Sequence, residues 1–396
     1  MRPAGDLLVR RAGRVLTNSP DNPILEGPAA VVIEGGTVVA VVSESDLADQ
    51  MAARADLPEL DAAGRAVIPG FVDAHTHLVF AGDRSEEFAA RLEGRPYEAG
   101  GIMRTVEATR AAGIKELVEG LSDRVARCVN GGTTTIEVKS GYGLDTITEL
   151  RCLEAIAEAS SSVEAELLPT FLGAHLNPEP GYIDLVLEEM LPACAPLAVG
   201  CDAFCDAGAL SVDEARQVLR AGVAHGLTPR LHAEELARTG GAALAAELGC
   251  ASADHLVHAT PQDAAALAEA GVVAVLLPST SFCLRSQYAT GRMFLEAGGR
   301  IALATDCNPG TSYTTSMPFV IALACSEYGL SATEAVQAAT LGGALALRRE
   351  DLGRLTPGAR ADLIAIDGEH WIDIAYHPGM DVIGAVVREG NPVRGG

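Results

Sequence analysis

Positive charge is scarce in this chain. Its 396 residues carry 29 Lys+Arg against 53 Asp+Glu, a formal net charge of −24, and only two of the cations, Lys115 and Lys139, are lysines. Clustered cations are what sequence-independent binding to nucleic acid or to an anionic membrane requires, so neither partner is expected. Aromatics are also few, at 4%. No apolar run approaches the roughly 18 residues of a membrane-spanning helix; the run at 272–277 (VVAVLL) suits a buried strand instead. The first residues, MRPAGD, lack the apolar segment of a secretory signal. Nine cysteines are present, an odd number with no C-x-x-C pair. Free thiols in a reducing cytoplasm are the expected state. Several catalytic signatures are missing too. Ile114 and Val138 stand where a P-loop needs glycine before its lysine, and neither G-x-S-x-G nor H-E-x-x-H occurs.

The chain does hold apolar residues in plenty, 48%, enough for a large core. Its two ends are β-rich. Residues 30–42 (AVVIEGGTVVAVV) predict a hairpin around Gly35-Gly36. Strands are predicted again at 361–366 and 381–387. Neither end has enough strands to stand alone, so residues 1–66 and 355–396 are expected to form one discontinuous β-sandwich. Between them, residues 67–354 alternate strand-like runs with Ala/Leu/Glu-rich helical stretches. Strands are predicted at 67–72, 133–138, 166–171, 203–205, 228–231, 252–257, 272–277 and 301–304. Eight strand-then-helix units over this length fit an α/β (β/α)8 TIM barrel, although a doubly wound sheet alternates in the same way.

The histidines fall at the ends of these strands. His75 and His77 stand at i and i+2 after the first, where strand geometry turns both imidazoles to one face. His175, His232 and His255 follow or close the third, fifth and sixth, and Asp306 closes the eighth. On a barrel these positions converge at the C-terminal mouth, where barrel active sites sit. Imidazole and carboxylate together suit Zn, Fe, Mn or Ni. His225, His258, His370 and His377 fall outside this set and are read as structural.

In these residues the chain resembles the amidohydrolase superfamily of metal-dependent hydrolases. The resemblance implies a distorted (β/α)8 barrel carrying a β-sandwich made from both chain ends, and a metal held by His75, His77, His232 and Asp306. Binuclear members add a carboxylated lysine or a glutamate on strand 4. Strand 4 here offers only Asp202 and Asp206, so one ion, Zn or Fe, is expected. Six separated runs narrow the match: 73–80 (DAHTHLVF), 137–144 (EVKSGYGL), 170–175 (TFLGAH), 232–235 (HAEE), 253–257 (ADHLV) and 305–311 (TDCNPGT). They are similar to those of the superfamily branch that opens the imidazolone ring of histidine breakdown. That resemblance implies hydrolysis of the cyclic amide of 4-imidazolone-5-propanoate, an anionic small molecule. Another cyclic amidohydrolase, or a nucleobase deaminase, is the alternative.

Carried over residue by residue, the resemblance makes Asp306 the base, has His255 orient the water or stabilise the oxyanion, and gives Glu235 to the ring nitrogens. Arg84 would grip the propanoate with two parallel bonds. Tyr142 and His175 would contact the ring or its carboxylate, and Asn308, Gly310 and Thr311 would bind the product's carboxylate. A homodimer is the expected assembly. Residues 83–113, with Gly94, Gly100 and Gly101, are expected to form an excursion over the site.

Overall fold

The computed structural model describes residues 3–52, 54, 57–94 and 101–395. Gly100 therefore lies outside the described residues. Chain order begins with β1 (Leu7–Leu16), β2 (Ile24–Glu34), β3 (Thr37–Ser43), β4 (Glu59–Asp61) and β5 (Ala66–Pro69). Then come β6 (Phe71–Asp73), β7 (Thr133–Lys139), β8 (Glu166–Ala174), β9 (Gly200–Cys205), β10 (Thr228–Ala233), β11 (Ser252–His255), β12 (Val273–Leu276) and β13 (Ile301–Leu303). The last three are β14 (Leu363–Ile366), β15 (Ile383–Arg388) and β16 (Asn391–Arg394).

β6 to β13 pair in parallel with their sequence neighbours to make one eight-stranded sheet. Helices follow most strands, as a parallel sheet requires. The sheet closes on itself just beyond the strand ends. There Thr76 bridges Cys307, the Asp306 N–H donates to the His75 carbonyl and the His77 N–H donates to the Cys307 carbonyl, both at 3.0 Å. The seam of the barrel is thus built from the backbone of His75, His77 and Asp306 themselves and of their neighbours Thr76 and Cys307.

The two termini share a second, mixed sheet in the order β16-β15-β14-β5-β1-β2-β3, with β4 on β1. Leu7, Val9, Val31 and Ile33 are buried on one face, and Leu8, Ala30 and Val32 on the other. Both faces are covered along residues 29–33, which explains why that part of β2 is continuously apolar rather than alternating. The β2–β3 hairpin turns at Gly35 (φ 54°) and Gly36 (φ 73°), the positive values that a tight two-residue turn needs.

One strand differs from expectation. Residues 67–72 do not form a single strand: Ala66–Pro69 joins the terminal sheet and Phe71–Asp73 begins the barrel. Gly70 sits between them, where a Cβ would press on the side chain of Thr134. Residues 85–92 and 102–111 of the expected excursion are helical.

Candidate active site

β6 delivers His75 and His77, β10 delivers His232, β11 ends in His255, and the turn after β13 delivers Asp306. Their side chains are all buried. Two sets of nitrogen and oxygen atoms, His75/His77/His232 and His75/His255/Asp306, have all their atoms within 4.8 Å of one another. His232 Nε2 lies 3.4 Å from His77 Nε2, and Asp306 Oδ1 lies 3.6 Å from both His75 Nε2 and His77 Nε2.

The carboxylates behind the imidazoles are placed as in a ligand set. His75 Nδ1 bonds Asp254 Oδ2 at 2.6 Å, which leaves Nε2 buried without a hydrogen-bond partner. His232 Nδ1 lies 3.0 Å from Asp202 Oδ2 and its Nε2 faces the cluster; burial opposes the charge on this ring, yet Asp202 raises its pKa, so a cation competes with a proton at Nε2. A carboxylate behind an imidazole that points its other nitrogen at a common centre is the arrangement of a metal-binding histidine. Burial first, then Lys139 and the neighbouring imidazoles, keeps His75 well below its ordinary pKa and therefore neutral. Burial likewise depresses His77 and His255. Asp306 keeps Oδ1 toward the histidines because Thr280 Oγ1 donates to Oδ2 at 2.6 Å. Burial raises its pKa to about 6. The residues fit a divalent cation.

A second tier lies beneath, and sequence reasoning did not single it out as functional. Lys139, fully buried, reaches Glu137 at 2.8 Å and Asp202 at 2.7 Å. Burial works against the charge on Asp202, but His232 and Lys139 hold it well below the carboxylate range. A lysine thus does reach the strand-4 carboxylate, as an ion-pair partner under the site. Asp254 escaped notice because it directly precedes His255. Adjacent strand residues face opposite ways, yet both are turned inward here. His255 has φ 75°, which breaks the alternation.

Above the cluster opens a cavity of about 60 Å³, lined by His77, Arg84, Tyr142, His175, His232, Glu235, His255, Asp306, Asn308 and Thr311, among others. The two glutamates of the HAEE run divide the labour. Glu234 accepts from the backbone N–H groups of Thr239, Gly240 and Ala242. Glu235 faces the cavity, its Oε2 3.6 Å from His255 Nε2. Asp206 holds it there by accepting from the N–H groups of Glu235, Leu236 and Ala237. Burial first, then the Asp306 charge, raises Glu235 to about 8.

Arg84 is buried and paired with both oxygens of Glu87 at 2.7 Å. Gly310 closes over it: a Cβ there would overlap the guanidinium. Asn308 Oδ1 accepts from the Gly310 and Thr311 amides at 2.8 and 2.7 Å, which shapes the loop. Gly310 does not itself line the cavity. Of the histidines read as structural, His225 caps the helix Val212–Ala224 and His258 contacts Gln287.

Comparison with known proteins decides the family. The amidohydrolase family profile matches residues 66–393. Imidazolonepropionase of Mycolicibacterium smegmatis is 48% identical over 98% of this chain and 97% of its own length. Imidazolonepropionase of Streptomyces coelicolor is 49% identical, over 97% and 98%. The chain belongs to the imidazolonepropionases of the amidohydrolase family. Imidazolonepropionases share their fold with more distant proteins. An adenosine deaminase from Xanthomonas campestris with bound zinc matches 98% of this chain and 92% of its own, with TM-score 0.74 and 21% identity. Atrazine chlorohydrolase from Arthrobacter aurescens, complexed with zinc, matches 98% and 95%, with TM-score 0.76 and 20% identity. At that identity the likeness concerns the fold alone.

Proposed function

We propose that this chain opens 4-imidazolone-5-propanoate by hydrolysis to N-formimidoyl-L-glutamate, as the imidazolonepropionases do, with the site residues divided as follows. The observation that carries the reading is the convergence of His75, His77, His232 and Asp306 under a cavity with Glu235, in a chain nearly half identical over its full length to named imidazolonepropionases. Those four side chains would hold one cation, Zn or Fe. The engagement of Asp202 with Lys139 and His232 supports a single ion, because it leaves strand 4 without a bridging ligand. Such a cation lowers the pKa of water toward neutrality.

Asp306, next to both His75 and His77, accepts the proton released by the attacking water. His255, neutral and buried, orients the water and donates to the developing oxyanion. Attack on the ring carbonyl breaks its C–N bond. Glu235, whose burial favours the protonated form, hydrogen-bonds the ring and passes its proton to the departing nitrogen. Arg84 grips the propanoate, and its pairing with Glu87 holds the guanidinium plane in place. Tyr142 packs at the ring edge. The loop of Asn308, Gly310 and Thr311 receives the carboxylate of the product.

The nine free cysteines suit a reducing cytoplasm, where we place the protein. Among the described residues no helix is long and apolar enough to cross a membrane. The homodimer is likewise proposed, and sedimentation velocity tests it. For the reaction, the purified protein is mixed with imidazolone propanoate while ring absorbance and free ammonia are followed. Loss of absorbance without ammonia supports this reading. Ammonia release from guanine or cytosine, with the imidazolone untouched, would replace it with a deaminase.

A further inference from the structure

The loop after β7, residues 140–145, is pinned by a side chain outside the cavity. Glu149, on the helix Thr146–Ala159, is fully buried. Its carboxylate accepts from three backbone N–H groups: Gly141 at 2.8 Å, Gly143 at 2.7 Å and Leu144 at 3.0 Å. Gly141 adopts φ 110° and Leu144 φ 51°, so the loop takes a shape it would not hold unaided. In that shape the Gly141 carbonyl lies 2.9 Å from His175 Nδ1. A Cβ on Gly141 would come within 3.0 Å of the same nitrogen.

A carbonyl oxygen only accepts hydrogen bonds. The contact therefore requires the proton of His175 on Nδ1. Nε2, on the ring edge away from Gly141, is left with a lone pair, and His175 forms part of the cavity wall. A lone pair there attracts an N–H and repels a carboxylate. We infer that His175 is a hydrogen-bond acceptor that reads a ring N–H of the imidazolone, and that Glu149, through the Gly141 carbonyl, is the positioning residue that sets it in that state. The proposal rests on the function given above. It removes the propanoate as a partner for His175 and leaves that group to Arg84. It also adds a selectivity element: a ring lacking the N–H loses a bond that the site has prepared.

The test combines a spectroscopic and a kinetic readout on the metal-loaded full chain. With ring-¹⁵N-labelled histidine, the His175 signals are assigned by their disappearance in His175→Gln. In the wild type at neutral pH, Nδ1 is expected to be pyrrole-like and Nε2 pyridine-like. In Glu149→Gln, an amide with one acceptor oxygen replaces three-fold acceptance, so the loop loses at least one anchor. The KM for imidazolone propanoate is expected to rise by about tenfold, the worth of one hydrogen bond, with kcat falling much less. Metal per chain should be unchanged. An N-methylated imidazolone should be discriminated against less by the variant than by the wild type. Protonation on Nε2 or on both nitrogens in the wild type overturns the proposal. So does a Glu149→Gln variant that loses kcat and metal together at constant KM. Should that variant fail to fold, the wild-type spectrum decides alone. A wild type that leaves the imidazolone intact sinks the proposed function instead, while the tautomer remains readable.

Discussion

At the scale of single residues, the site is a set of imidazoles whose protons are placed by carboxylates. His75 shows this most plainly, because Asp254 fixes its Nδ1–H and so leaves Nε2 turned toward the proposed cation. Asp254→Asn should therefore weaken metal binding by about 10–100-fold while the barrel stays folded, read by competition with a chelator and by circular dichroism. In the proposed reaction Glu235 has a different duty. Burial first, then the Asp306 charge, raises its pKa to about 8 before a cation is bound, and the proton is lost as pH climbs through the folded value. kcat/KM should accordingly fall on the alkaline side, with a limb no higher than about 8, since a bound cation draws the value down. Glu235→Gln should remove that limb and lower kcat by about 10²-fold or more at full metal occupancy; an equal loss of metal would make Glu235 a ligand. His75, His77, His232 and Asp306 were readable in the sequence because each sits at the end of an apolar strand. Asp254, Lys139 and Thr280 were not. Asp254 is masked by the backbone reversal at His255, Lys139 acts through Asp202 rather than at the centre, and a lone threonine carries no pattern until Asp306 is seen beside it.

At the scale of elements, the barrel's strands were legible from apolar runs and their spacing, and the mixed sheet from the β-rich termini. What sequence blurred was the passage from one sheet to the other at Gly70, because Ala66–Pro69 and Phe71–Asp73 are both buried and apolar, and no periodicity separates them. The closure of the barrel was not legible either, since it depends on packing rather than pattern. Gly342 and Gly343 let the helical stretch after β13 lie directly on the sheet. A Cβ on Gly342 would overlap the Ile301 carbonyl, and one on Gly343 the Val72 carbonyl. Gly343→Ala should thus destabilise the protein by about 1–3 kcal/mol, seen as a lower denaturant midpoint, because backbone has to move. Gly310→Ala acts on the other side of the site. Its Cβ would displace the Arg84 guanidinium, so KM should rise strongly while the denaturant midpoint hardly moves.

At the scale of the whole molecule, a net charge of −24 surrounds a site built for an anion. The overall field opposes substrate approach, and in the proposed site Arg84 with the cation offsets it locally. Added salt should therefore raise kcat/KM or leave it nearly unchanged; a steep fall would reveal a basic funnel. The lysine shortage has a counterpart inside. One of the two lysines is exposed on the helix Ile114–Asn130, and the other is locked to Glu137 and Asp202, so the chain has no lysine left to bridge a second ion. The most direct test of this account is a metal titration of the chelated protein, with ring opening of imidazolone propanoate followed by absorbance. No activity is expected before addition, and full activity at one equivalent of Zn or Fe per chain. Activity that survives chelation, or that keeps rising to two equivalents, would contradict it.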